Sequence, residues 1–402
     1  MRNLGRSPPI ETLGGWIMGK KINRRELLQG SVVMSLSAAV PGSAFGASDE
    51  TPFPPKKIVM AEPAAYSPLT YLGRVSSERS PKLAFSAETA RDAEEWREKL
   101  RAALWDLMGE SHVPGAANPP SRRLETKAFD TYTREKWELD VVPGRSMPFY
   151  VLRPASGPNA RKVVLCLHGH GNGARDVINQ PVNDEAAALI RTINTDYALQ
   201  VVKKGWCAIA PDLFAFGERV DYVEDARPGF DGGCEKPFLN AVELGKTLIG
   251  IRAKDVCTLI DWLGFRPSEF DISNLACVGL SGGGMMIMYT AALDDRIRRA
   301  IIAGYITEMS GSILPIRHCS CCYIPRLGLY ADFPDIAGLI APRFLIVQTG
   351  KRDAIFPIES VRAAFRKIER VYRVLGKPEN IRLHEHDGFH SFWTPSLDDL
   401  LV

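Results

Sequence analysis

Apolar and polar positions follow two rhythms along this chain. From residue 124 to 153 they alternate, as in Thr131-Tyr132-Thr133-Arg134-Glu135-Lys136-Trp137-Glu138-Leu139, with a turn at Pro143-Gly144. A period of two predicts antiparallel strands with one face on a core. Further on, alternation gives way to short continuous apolar runs at 163–167, 206–210, 275–279, 300–303, 344–348 and 381–384. Between them the spacing turns helical, at 184–203, 244–263, 284–293 and 358–375. Strands apolar on both faces and separated by helices predict a mostly parallel sheet covered on both sides, with the antiparallel strands at one edge. No fixed repeat period appears, which argues against a solenoid or propeller.

Ahead of the sheet, Trp96, Leu100, Leu104 and Leu107 mark a helix over 85–108 that stops at Gly109, followed by a Pro-rich loop at 113–120. Residues 47–82, rich in Pro, Ser and Lys, read as an extended arm. The first residues read as a leader. Arg24-Arg25 precedes a mildly apolar run at 30–40, and small residues follow at Ala44, Gly46 and Ala47. This pattern predicts a twin-arginine signal over 1–46, with Met18 as an alternative start that would leave 1–17 untranslated. The expected organisation is therefore leader, then arm and helix over 47–123, then the sheet-forming domain over 124–402. The expected partner is the twin-arginine export machinery and the expected location is periplasmic or secreted.

The chain has 402 residues, 45% of them hydrophobic, and a formal charge of +3. Its basic residues are interspersed with acids, which excludes a nucleic-acid stripe. No apolar run is long enough to span a membrane. Eight cysteines are present. Cys166, Cys207 and Cys277 sit in strand-like runs and Cys257 on a helical face, as small buried hydrophobes. Cys234, Cys319, Cys321 and Cys322 lie in loop-like sequence, open to disulfide pairing in an oxidising compartment. Folding in the cytoplasm before export argues against obligatory disulfides.

Gly279-Leu280-Ser281-Gly282-Gly283 joins a strand run to a helix run and places a serine at the apex of a tight turn. Such a turn exposes the hydroxyl as a nucleophile. A nucleophilic serine needs a base and a carboxylate to orient it, both on later strand ends. Asp353 follows the run 344–348, and His390 follows the run 381–384 in Asp387-Gly388-Phe389-His390. Glu308 is the competing acid and also a candidate substrate contact; Asp332 and Asp335 are weaker candidates. Leu167-His168-Gly169-His170-Gly171-Asn172-Gly173 can present backbone N–H groups to an oxyanion. The expected donors are Gly282 and His170, with His168 bracing the loop.

These residues resemble the α/β-hydrolase superfamily. The closer likeness is to the dienelactone-hydrolase and acetyl-xylan-esterase-like branch of exported bacterial serine hydrolases. It rests on the HGHG loop, the run from Pro211 to Arg219, the GLSGGG elbow, and Ala341-Pro342-Arg343-Phe344 leading to Asp353. The resemblance implies an eight-stranded sheet on which Ser281, Asp353 and His390 converge. Dienelactone hydrolases themselves are shorter and use cysteine as nucleophile.

The segment 304–335 reads as a pocket wall or lid. Its His318-Cys319-Ser320-Cys321-Cys322 has zinc-binding residue types but no second ligand pair nearby in sequence, so no metal is expected, and no cofactor. The loop 216–237, with Arg219, reads as a second wall suited to a sugar or an acidic sugar. The function expected is a carboxylic-ester hydrolase acting on an esterified carbohydrate. A prolyl-oligopeptidase-like peptidase and a non-catalytic carbohydrate-binding relative are the alternatives.

Overall fold

Each of the six continuous apolar runs becomes a parallel strand. In the computed structural model, which describes residues 64–221 and 233–402, the described strands form one sheet of nine. They are β1 (Ser121–Ala128), β2 (Tyr132–Val142), β3 (Arg145–Pro154), β4 (Lys162–Leu167), β5 (Cys207–Pro211), β6 (Asp271–Leu280), β7 (Ile297–Ala303), β8 (Phe344–Gly350) and β9 (Ile381–His386). Their order is β1-β2-β3-β5-β4-β6-β7-β8-β9. β1, β2 and β3 pair antiparallel, as do β3 and β5, and every later pairing is parallel. The sheet therefore has nine strands where the family resemblance implied eight. Outermost β1, Ser-Arg-Arg-Leu-Glu-Thr-Lys-Ala, pairs only with β2 and is exposed along almost its whole length. Its charges blunt an open edge.

Alternate residues of the inner strands feed opposite cores. Val163, Leu165 and Leu167 of β4, with Leu275 and Cys277 of β6, pack among the helices Ala90–Met108, Leu248–Gly264, Gly282–Leu293 and Ile358–Val374. Val164, Cys166, Ala276 and Val278 face the helices Tyr197–Lys203 and Ser396–Leu400. This is the two-sided burial that continuous apolar strands require. Cys166, Cys207, Cys257 and Cys277 are fully buried, and no described cysteine is disulfide-bonded.

Three elements differ from the sequence expectation. The helix read over 184–203 is two helices, Asp184–Ile193 and Tyr197–Lys203, because Asn194 turns left-handed with φ 56° and caps the first. The helix read over 244–263 starts at Leu248, where the Thr247 side chain accepts from Gly250 N–H, and a separate helix Glu235–Glu243 precedes it. The arm read as extended contains the helix Pro68–Glu78, started by Ser67, whose hydroxyl accepts from Thr70 N–H. The leader at 1–46 lies outside the described residues. Among the described residues no helix is long and apolar enough to cross a membrane.

Candidate active site

β6 ends at Leu280 and the next helix begins at Gly282, so Ser281 alone makes the turn. Its φ of 58° and ψ of −121° are unfavourable for a residue with a side chain, at a cost of about 1–3 kcal/mol. The surroundings hold it there. Ser281 N–H donates to the Ala303 carbonyl of β7 at 2.9 Å, and its own carbonyl accepts from Met285 N–H at 2.8 Å. A Cβ on Gly279 would come 2.5 Å from the Gly283 carbonyl carbon, and one on Gly283 would overlap the Leu167 carbonyl. The glycines thus let strand, loop and helix close on one another.

Every residue from Gly282 to Ala292 is buried. The far end of that helix is held by Arg343, buried beneath it, which donates to the Ala291, Asp294 and Ile297 carbonyls at 2.6, 3.0 and 2.7 Å. This cation satisfies carbonyls that the helix end leaves open.

His390 and Asp353 meet directly. The His390 Nδ1 lies 2.7 Å from Asp353 Oδ2, and both residues are buried. The other oxygen, Oδ1, accepts from the backbone N–H groups of Ile355 and Phe356 at 2.9 and 3.1 Å. Three acceptor sites of the one carboxylate thereby face three partners, which fixes its plane. The imidazole lies nearly parallel to the Phe356 ring, with centroids 5.7 Å apart. Gly304 also borders the ring, with φ of 55°, and a Cβ there would approach the ring Cε1 to 2.9 Å. A side chain there would be strained and would also displace the imidazole.

The loop after β4 runs beside the elbow. A Cβ on Gly169 would lie 3.4 Å from Ser281 Cβ and 3.5 Å from Gly282 N. His168 braces this loop. Its Nε2 accepts from Leu213 N–H at 3.0 Å while Nδ1 faces the Gly169 carbonyl at 2.8 Å. Burial pushes its pKa down to about 3, so the ring is neutral. Two carboxylates complete the bracing. Asp176 accepts from Asn172 N–H and Asn172 Nδ2, at 2.7 and 3.1 Å. Asp212 accepts from Ala174 N–H and Glu218 N–H, at 2.6 and 3.0 Å. Burial pushes the Asp212 carboxyl up to about 6. Neither acid is singled out by the sequence pattern. Nothing in local spacing links Asp212 to Ala174, which is thirty-eight residues away in the chain.

Ser281, His390, Gly169 and His170 line one cleft of about 620 Å³, counting its open mouth. Val177, Leu189, Ile190 and Ile193 form an apolar wall; Asn172, Asp176 and Thr195 add polar groups. Arg219 and Glu308, the expected substrate contacts, do not line it. Arg219 pairs with buried Asp255 at 2.8 Å and donates to the Asp212 carbonyl at 3.1 Å. Glu308 pairs with Lys367. The weaker acid candidates are likewise engaged, Asp332 with Arg79 and with the start of the helix Phe333–Gly338, and Asp335 in the same capping box. Of the other histidines, His384 meets Ser396 Oγ at 2.8 Å and His318 meets Ser312 Oγ at 2.9 Å.

Residues 70–395 match the family model described as Abhydrolase family. The chain belongs to the abhydrolase family. The Bacillus subtilis (strain 168) protein YtaP, itself described only provisionally as a hydrolase, is 24% identical to this abhydrolase. The match covers 71% of this chain and 91% of that one. Solved structures share the fold. A Bacteroides fragilis protein, described provisionally as an acetyl xylan esterase, superposes with a TM-score of 0.68 at 20% identity, covering 80% of this chain and 82% of its own. A glucuronoyl esterase from Solibacter usitatus gives 0.59 at 14% identity, covering 80% and 96%. The α/β-hydrolase architecture expected from the elbow and strand pattern is the architecture of this abhydrolase.

Proposed function

We propose that this abhydrolase is a serine carboxylic-ester hydrolase that removes a small acyl group, such as acetyl, from an esterified carbohydrate. One observation carries the chemistry: Ser281, held at a strained apex, opens into the same cleft as His390, whose far nitrogen is bonded to a locked Asp353. In this reading Ser281 attacks the ester carbonyl while His390 takes its proton. Asp353 keeps the Nδ1 proton in place, so Nε2 is the basic nitrogen, and balances the imidazolium. The backbone N–H groups of Gly282 and His170 would stabilise the oxyanion, each by about 3 kcal/mol. His390 then protonates the leaving alcohol, and water repeats the sequence on the acyl-enzyme.

The substrate class is supported by fold neighbours described as acetyl xylan and glucuronoyl esterases. The apolar wall Val177, Leu189, Ile190 and Ile193 suits the methyl end of a short acyl group. The twin-arginine leader places this activity in the periplasm or outside the cell, served by the twin-arginine export machinery.

The test is release of acetate and of methanol from acetylated and methyl-esterified plant and algal polysaccharides. Acetate release that disappears in Ser281→Ala supports the proposal. Methanol release alone would overturn the acyl assignment, and no release from any ester would overturn the function.

A further inference from the structure

Three remote segments bring a second chemical constellation to the rim of the cleft. The ligand atoms of His170, Cys234, Cys319 and Cys321 all lie within 4.8 Å of one another. His170 belongs to the loop after β4, Cys234 precedes the helix Glu235–Glu243, and in the segment after β7 Cys319 precedes the single turn Ser320–Cys322 that contains Cys321. The second ligand pair that local spacing in 304–335 lacked is thus supplied by His170 and Cys234. We propose that these four residues bind a zinc ion that ties the His170 loop to the start of the helix Glu235–Glu243 and to the turn at Ser320–Cys322.

The geometry suits zinc. Zinc–sulfur bonds of about 2.3 Å in a tetrahedron place the sulfurs about 3.8 Å apart, and nitrogen slightly closer to sulfur. Cys321 Sγ lies 3.3 Å from His170 Nε2, and the 4.8 Å limit leaves only small side-chain adjustments to close the shell. Cys321 and Cys234 are buried, so an ion here would be shielded from water. Three thiolates and one imidazole are soft and borderline ligands that select zinc over magnesium or calcium.

The charge also balances. Three thiolates around a dication leave a net −1. Arg252, buried to 1% exposure, places Nη2 3.4 Å from Cys234 Sγ. Its Nε donates to the Phe214 carbonyl at 2.9 Å, and its guanidinium lies over Phe216, 4.6 Å from the ring centroid. Phe216 in turn packs edge-on against His170, with centroids 5.1 Å apart. An outer shell of one cation and an aromatic ring would hold the ligands in place and keep the site dry.

Four protein ligands close the coordination sphere, so the role is structural and the ion takes no part in ester cleavage. Its effect on the cleft runs through His170. Ligation at Nε2 leaves the proton on Nδ1, the nitrogen on the Gly282 side, where a Cβ on Gly282 would come within 3.3 Å of it. The ion would therefore fix both the tautomer of His170 and the position of a loop that borders Ser281.

The test reads metal directly, without substrate, so its failure is distinct from failure of the esterase proposal. The whole protein, purified without chelator from zinc-supplemented culture, should carry about one zinc per chain by mass spectrometry of the metal content. After chelation under reducing conditions, added cobalt should give the visible bands of a tetrahedral site and a thiolate charge-transfer band. Cys319→Ser combined with Cys321→Ser should reduce both signals to background, while Cys322→Ser, outside the set, should retain them. If the double variant does not fold, the wild-type cobalt spectrum decides alone. Absence of zinc together with absence of the cobalt spectrum overturns the proposal. So does a disulfide mapped between any two of Cys234, Cys319 and Cys321 in protein that takes up no metal once reduced.

Discussion

Replacing Asp353 by asparagine separates an orienting carboxylate from a merely structural one. The shape is kept, but one oxygen becomes an NH₂ group. In the native protein Oδ1 accepts from the Ile355 and Phe356 N–H groups while Oδ2 faces His390 Nδ1 at 2.7 Å. Two buried backbone donors decide which way the amide turns, because leaving them unpaired would cost about 1–3 kcal/mol each. The carbonyl therefore stays with Ile355 and Phe356, and the NH₂ group meets His390. Nδ1 must then accept, the ring proton moves to Nε2, and the nitrogen that takes the Ser281 proton in the proposed reaction is blocked. A wrong tautomer in a triad of this kind costs about 10⁴ in kcat, which is about 5.4 kcal/mol in the barrier at 1.36 kcal/mol per decade. The assay is p-nitrophenyl acetate hydrolysis, with thermal unfolding as a check on the fold. Asp353→Asn should lose about three to four decades of kcat with little change in unfolding temperature. Glu308→Gln, which alters the rival acid, should keep activity within about a factor of three of wild type. Loss confined to Glu308→Gln, with Asp353→Asn active, would refute the reasoning.

Further expectations follow from the same geometry. Gly283→Ala forces a Cβ into the Leu167 carbonyl; it should destabilise the protein by about 1–3 kcal/mol or more in urea unfolding and lower esterase activity. His168 has its folded pKa pushed down to about 3, below its ordinary value near 6.5, so the unfolded chain binds a proton that the fold excludes. Its stabilising contribution is therefore complete above pH ~6.5 and is lost as pH falls toward 3, by up to about 1.4 kcal/mol per unit. Urea midpoints measured between pH 6.5 and 4.5 should fall less steeply for His168→Gln than for wild type; parallel slopes would contradict the buried neutral ring.

The sheet was legible because its signal is local. Residues 163–167 and 275–279 are apolar at every position, and burial on both faces accounts for that. The meeting of Asp353 with His390 was legible for a related reason: each closely follows a strand of its own, and parallel strands deliver their C-terminal ends to one edge. Contacts that depend on the path of a loop left no local trace. Arg219 looked like a sugar contact in a charged, aromatic stretch, yet its guanidinium is drawn to Asp255, a buried carboxylate on another helix. Asp212 holds the turn after the His170 loop through Ala174 N–H, a pairing set by sheet order. His170, Cys234 and Cys321 approach one another only after three crossovers have been laid down, so a search for closely spaced ligands in sequence passes over them.

The claim that Ser281 is the nucleophile is tested most directly by covalent labelling of the folded protein with a fluorophosphonate, followed by intact mass and peptide mapping. The account predicts one adduct per chain, on Ser281, that forms on the wild type, slows sharply in His390→Ala and is absent from Ser281→Ala. An unmodified Ser281, or an adduct that persists on another residue in Ser281→Ala, would contradict it.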